Sequence, residues 1–404
     1  MPPEPTPLCP NNITITNGKS SPKNVTHLSP MNGGNDINSY YENSYFQRVA
    51  AKFECQKIND EIMEKFNIDQ STILSLSKTI IRIADLGCAT GPNTFLSVQN
   101  IIEATKQKYK TLINIPNSAT TNNNTITSKF EFQVFFNDLV KNDFNTLFSS
   151  LPKDKDYFAA AVAGSFRGQL FPESSLHFAY TSHSLHWLSK LPAELGDEAS
   201  PAWNKGRVHY TGAPAGVVEA YKAQFGKEMD MFLEARGKEL VGGGMLFMIF
   251  SGAPKEMPVS STATANAAMF DFMASILMDM VQEGMIKESQ VDSFNLPLYN
   301  SASPEEIKGL VERNGCFSIE RLELSKPSSW LKHPVDIPAW MKHVRAAMEG
   351  NFIQHFGSKV VVDQLFTRLT KTHLDHSQML QYWCNQKVQL FVVLKRINKK
   401  TTST

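Results

Sequence analysis

The sequence predicts an α/β protein: a Rossmann-like, doubly wound sheet with a helical cap over the edge where ligands bind. Three observations carry this expectation. Short apolar runs of strand length alternate with segments of helical period from Met31 onward. The first run, in "IADLGCATGPNTF" (Ile83 to Phe95), ends in an acid and continues as a turn of small residues. Such a turn lets the backbone come close to a ligand at the carboxyl end of a strand. A Met-rich apolar block, "ATANAAMFDFMASILMDMVQEGMI", then interrupts the alternation.

Taken in order, a helix is predicted from about Tyr45 to Phe66, where Val49, Ala50, Phe53, Ile58, Ile62 and Phe66 are interleaved with Glu, Lys and Gln. "IRIADLG" reads as the first buried strand. "NTFLSVQNIIEATKQKYK" reads as the next helix, with Phe95, Val98, Ile101 and Ile102 on one face. The polar run from Asn114 to Ser128 reads as a surface loop. "FEFQVFFND", "YFAAAVAGSF" and "LHFAYTSHSLHWL" supply the next strands, the last running into a turn. Val217 to Leu240 is helical, "GGGMLFMIFSG" is a further strand, and "VQLFVVLKR" is the last one. The cap is assigned to about 255–290 and 334–382, both of helical period. Residues 1–30, rich in Pro, Asn, Ser and Thr, read as a disordered tail, and 31–404 as one domain.

The chain has 404 residues, 42% of them apolar, enough for a large core. Its net charge is +1 and no basic block stands out, which argues against a nucleic-acid groove or an anionic membrane surface. No apolar run reaches the ~18 residues of a membrane span. Cys9, Cys55, Cys88, Cys316 and Cys384 are scattered, without metal-ligand spacing, and point to a reduced, cytoplasmic setting.

Gly87 and Gly91 are spaced GxxxG rather than GxGxxG, and no basic residue follows. That counts against the phosphates of NAD or ATP. It suits a ligand with an amino-acid end, and S-adenosylmethionine fits: its ammonium needs a carboxylate or carbonyl, and its sulfonium tolerates no nearby cation. A tight turn with no ligand remains open at this point. Asp138 ends the second strand, where a carboxylate can accept both hydroxyls of a ribose or can cap the next helix.

"MNGG", "NSYYENSYFQ", "DLGCATGPNT", "FFNDLVKNDFNTLFSSLP", "AGSFRGQLFPESSLHFAYTSHSLHWLSKLP", "NKGRVHY", "DSFNLPLY" and "FVVLKR" follow one another in this order. In this order they resemble the plant SABATH family of S-adenosylmethionine-dependent methyltransferases, from about Met31 to Arg396. Within it, "FAA", "HWLSK", "NKGRVHYTG" and "DSFNLP" are most similar to loganic acid carboxyl methyltransferases. The resemblance implies a class I methyltransferase domain. It also implies O-methylation of a small plant carboxylic acid, either an iridoid or terpenoid acid or an alkaloid keto or amino acid. The alternative is N-methylation of a xanthine or another amine. It implies S-adenosylmethionine bound by Tyr40, Asp85, Cys88, Asn93, Asp138, Leu139, Ser165 and Phe166, with the substrate carboxylate held by Gln47 and Trp187. A carboxylate is already ionised at pH 7, so no general base is required. His183 and His186 are expected to line the substrate pocket, His183 standing where the family usually has Tyr. Arg167 departs from the family's usual Tyr and could reach the pocket mouth or be solvated. Met269, Phe272, Met273, Leu277 and Met280 would form an adaptable apolar wall. Asp271 interrupts them, either solvated or facing inward to pair with a cationic substrate. Family members also imply a homodimer and a structural Mg2+ near Asn204, Asp292, Phe294 and Asn295, since oxygen ligands suit that ion.

Overall fold

The computed structural model describes residues 28–67, 79–113, 130–254, 256–259, 261–262, 264–327 and 334–398. The apolar runs pair as β1 (Thr79–Leu86), β2 (Phe130–Asp138), β3 (Phe158–Ala163), β4 (Leu176–Ser182), β5 (Leu240–Ser251), β6 (Phe317–Ser325) and β7 (Gln389–Arg396). They lie in one sheet in the order β3-β2-β1-β4-β5-β7-β6. β1 to β5 run parallel, and β7 is antiparallel to both β5 and β6. From β1 the chain moves outward to β2 and β3, then returns to β4 on the other side. The crevice beyond the carboxyl ends of β1 and β4 is therefore the switch point, the expected place for a ligand.

The helices are α1 (Tyr40–Asn43), α2 (Tyr45–Lys65), α3 (Asn93–Ile113), α4 (Phe144–Ser149), α5 (Ala215–Glu239), α6 (Ala265–Gln282), α7 (Glu288–Asp292), α8 (Pro304–Asn314), α9 (Ile337–Phe356), α10 (Lys359–Asp375) and α11 (Ser377–Asn385). Alternate residues of β5 face opposite layers, as a pleated strand requires. Met245, Phe247 and Ile249 join Ile58, Val98 and Ile102 of α2 and α3. Leu246, Met248 and Phe250 join Tyr221, Phe225 and Phe232 of α5 and Leu310 of α8. Burial on both faces explains why these strands are continuous apolar runs.

A separate apolar cluster joins α6 to α9, α10 and α11 through Met269, Met273, Leu277, Trp340, Phe352 and Phe366, and reaches Trp187. Both segments assigned to a cap are thus mainly helical and pack on each other. No helix among the described residues is long and apolar enough to cross a membrane.

Ser29, within the stretch expected as a tail, donates its N–H to Asn351 Oδ1 (3.3 Å) and its hydroxyl to Gln354 Oε1 (2.9 Å), both on α9. Residues 1–27 and the polar run 114–128 lie outside the described residues. α8 and β6 were not anticipated. β6 is an edge strand in which charged residues alternate with apolar ones, so it carries no continuous apolar signal.

Candidate functional site

The turn after β1 is built for close approach. Gly87 has φ +85°, and a Cβ there would lie 2.1 Å from Ser184 Oγ, so only glycine fits. Gly87 and Cys88 donate their N–H groups to the Asn137 carbonyl at 2.8 and 3.0 Å, tying the ends of β1 and β2 together. Asp138 accepts from the N–H of Ala89 (2.8 Å) and of Leu139 (2.7 Å). It is not a helix cap: Asp143 caps α4 by accepting from Thr146 N. Burial pushes the Asp138 carboxyl up, opposed by these two N–H bonds.

Asp85, almost fully buried, accepts a hydrogen bond from the Thr94 hydroxyl. Burial pushes its carboxyl up to about 7, against the pull of Thr94 and with help from Asp138. No cation among the described residues faces it, so a ligand's ammonium would restore its charge. Tyr40, Asp85, Cys88, Asn93, Asp138, Leu139, Ser165 and Phe166 all line one cavity at the switch point. The Asn93 amide is already engaged: it donates to Ser44 Oγ (3.0 Å) and accepts from Arg48 Nε (2.9 Å), fixing the start of α2.

A second, outer chamber lies under the cap helices. Met31, Tyr40, Gln47, His183 and Trp187 line both spaces and form the wall between them. His186 faces only the outer chamber. Gln47 Nε2 lies 2.8 Å from Nε2 of His343 on α9, while its Oε1 is buried without a partner. His343 carries no signal in the sequence and was not anticipated. Burial holds the imidazoles of His183, His186 and His343 below their usual range, to about 3 for His186 and about 4 for His343. They are therefore neutral at pH 7 and can donate or accept, though they are poor bases. No Asp or Glu is found among the described residues lining this chamber.

Arg167 is not solvated: it lines the switch-point cavity as a buried side chain. It is buried, with Nε 2.8 Å from Glu228 Oε2 and Nη2 donating to the carbonyls of Trp187 (2.6 Å) and Leu185 (3.2 Å). Glu228 also accepts from the Ser189 N–H (2.9 Å) and hydroxyl (2.8 Å). The pair thus clamps both sides of the loop that carries Trp187.

Asp271 does not face the outer chamber. It is exposed on α6, in a side pocket shared with Arg207 and His209. Its inward alternative fails because the helical phase aims its neighbours, Met269 and Phe270, at the chamber instead. The expected apolar wall is likewise narrower. Of its members only Met269 lines the chamber, Met273, Leu277 and Met280 being buried against other cap helices. Phe272 turns to His373 and His376, at 5.2 and 5.1 Å between ring centres.

The residues expected near a metal do gather. Asn204 Nδ2 donates to Asn295 Oδ1 (2.7 Å), and Asp292 Oδ1 accepts from Gly206 N (2.8 Å). Asn204 Oδ1 is buried without a partner, as a cation's oxygen ligand would be. The Phe294 ring packs on Phe352 and Phe356. Among the described residues no group of three or more His, Cys, Asp or Glu forms a metal cluster.

Residues 26–397 match the protein family described as SAM dependent carboxyl methyltransferase. The chain is 41% identical to loganic acid O-methyltransferase of Catharanthus roseus, covering 91% of this chain and 94% of that one. It is 37% identical to farnesoic acid carboxyl-O-methyltransferase of Arabidopsis thaliana, covering 81% and 87%. A solved structure of loganic acid methyltransferase with SAH superposes with a TM-score of 0.84 at 39% identity, covering 92% of this chain and 100% of that one.

Proposed function

The chain belongs to the family of S-adenosylmethionine-dependent carboxyl methyltransferases, and from that premise we propose how its residues divide the work. Bound in the switch-point cavity, S-adenosylmethionine supplies an electrophilic methyl group on a sulfonium. Asp85 pairs with the ammonium of its amino-acid end. Asp138 accepts the ribose hydroxyls with the lone pairs that Ala89 and Leu139 leave free. Leu139 and Phe166 flank the adenine, and Ser165 bonds its edge.

The small-acid carboxylate occupies the outer chamber, held by the Gln47 amide and the Trp187 indole N–H. One observation carries this reading: Gln47 and Trp187 lie in the wall shared by the two cavities. An oxygen held there can meet the methyl group in line. The carboxylate arrives ionised, so no proton needs removing, and the rate comes from proximity and orientation. A chamber lined by no Asp or Glu among the described residues suits an anionic substrate better than a cationic amine.

Calorimetry with SAH-loaded protein tests this reading. Acids should bind and their methyl esters bind more weakly; equal binding of both would remove the carboxylate anchor.

The Asp85 role has a pH signature. An ammonium favours the ionised carboxylate, so SAH affinity should tighten as pH rises from 5.5 through about 7, then level off. Asp85→Asn should flatten that curve in calorimetry, and an unchanged slope would remove the ion pair. In the cofactor-free protein the sign reverses for stability. Native Asp85 holds its proton above the ordinary value of about 4, so its contribution is full below that pH and is lost as pH rises through about 7.

Asn204, Asp292, Asn295 and the Phe294 carbonyl would hold a structural Mg2+. The unpartnered Asn204 Oδ1 supports this. Added Mg2+ should raise the unfolding midpoint, and no change in an Asp292→Ala-sensitive assay would contradict it. The same reading takes 31–404 as one methyltransferase domain capped by α6 and α9–α11. It works as a cytoplasmic homodimer, in keeping with the free thiols of Cys55, Cys88, Cys316 and Cys384.

A further inference from the structure

The outer chamber holds a charge that the described residues do not answer. Lys387 stands between α11 and β7, is an exposed residue and lines the chamber. No Asp or Glu lines that chamber among the described residues, and the group nearest in electrostatic effect is the Cys384 thiol. The buried cations Arg167 and Arg236 are matched, by Glu228 at 2.8 Å and by Glu239 at 2.7 Å. Desolvation by its surroundings in the chamber holds the Lys387 ammonium below the ordinary lysine range.

Further unpartnered groups share the chamber. His183 Nε2, His186 Nδ1 and Gln389 Oε1 are buried without partners. Lys387 lines only the outer chamber, whereas Gln47 and Trp187 line the wall toward the cofactor cavity. Its position is therefore wrong for the carboxylate that reacts. Its charge is wrong there too. An ammonium on the attacking oxygens would stabilise a negative charge that disappears as the methyl group transfers, which slows the step.

We propose that Lys387 anchors a second anionic group of the substrate, at the end away from the methylated carboxylate, so that the preferred substrates are small dicarboxylates methylated once. This rests on the carboxyl reading above and adds the class of acid to it. Gln47 and Trp187 hold one carboxylate at the shared wall, Lys387 holds the other, and the neutral histidines bond hydroxyl or carbonyl oxygens between them.

The test uses the full chain loaded with SAH and cyclic dicarboxylates (phthalate, homophthalate, cyclohexane-1,3- and 1,4-dicarboxylate), each beside its half-amide. Calorimetry on the wild type should show at least one dicarboxylate binding about 10-fold or more tighter than its half-amide, the worth of a hydrogen bond to a charged group. Lys387→Met should erase that difference while leaving SAH and half-amide binding unchanged, and Lys387→Arg should keep most of it. Thermal unfolding of Lys387→Met should occur no lower than in wild type, since no partner is orphaned. No wild-type preference for dianions, or an equal loss on both members of a pair, would overturn the proposal. Methyl transfer is scored separately. Dianions that bind through Lys387 without forming an ester would sink the carboxyl reading and leave the anchor standing. Esters formed from monoacids without a dianion preference would do the reverse.

Discussion

Arg167→Ala should lower the free energy of unfolding by about 3–5 kcal/mol, the range for removing one partner of a buried ion pair. The guanidinium is enclosed, bonded to Glu228 at 2.8 Å and to the Trp187 carbonyl at 2.6 Å. Its loss leaves the Glu228 carboxylate buried with Ser189 and Gln224 as its donors among the described residues. It also leaves the Trp187 and Leu185 carbonyls without this donor. Urea unfolding measures the effect. The double variant Arg167→Met with Glu228→Gln should recover much of the loss, because it removes the orphaned charge. A single variant as stable as wild type would contradict the clamp. Because the clamp sets the Trp187 loop, a substitution such as Arg167→Lys should raise KM for acids more than it weakens SAH. A lysine keeps the charge but not the forked geometry.

Gln47→Ala should reduce kcat/KM on carboxylic acids about 10- to 100-fold, the worth of one hydrogen bond to a charged group expressed in the barrier. SAH affinity should stay nearly intact. The side chain sits on α2 in the shared wall, with Nε2 against His343 and Oε1 unpartnered. The His343 contact gives the amide a fixed direction. Steady-state kinetics beside SAH calorimetry separates the outcomes. An equal loss of turnover and SAH affinity would make Gln47 a structural residue of α2.

What the sequence disclosed follows from physical range. β5 and β7 are buried on both faces over most of their length, so each spells a nearly continuous apolar run, and β1 and β4 do so with polar interruptions such as Arg82 and His177. β6 escaped because "FSIERLELS" alternates charge with apolar residues at the sheet edge. α8 escaped although its stop signals were written locally: Ser303 caps it, Pro304 opens it and Gly315 ends it at φ +68°. In the site, Asp85 was legible because it closes an apolar run just before a small-residue turn, and Asp138 because it ends the apolar run of β2. Arg167 was not, because its partner Glu228 is 61 residues away. His343 and Lys387 enter the chamber from the C-terminal third of the chain, and no local pattern marks either. Asp271 shows the limit of periodicity, which groups residues of a helix by face without saying which face meets the chamber.

Methyl transfer from labelled S-adenosylmethionine to a mixed panel tests the central claim most directly. The panel holds iridoid acids, benzenoid acids, cyclic dicarboxylates and xanthines, with product mass and base lability recorded. The account predicts a product that gains one methyl group and loses it again in mild base, formed from an acid and strongly reduced in Gln47→Ala. A base-stable methyl group on a ring nitrogen, with the acids untouched, would contradict it.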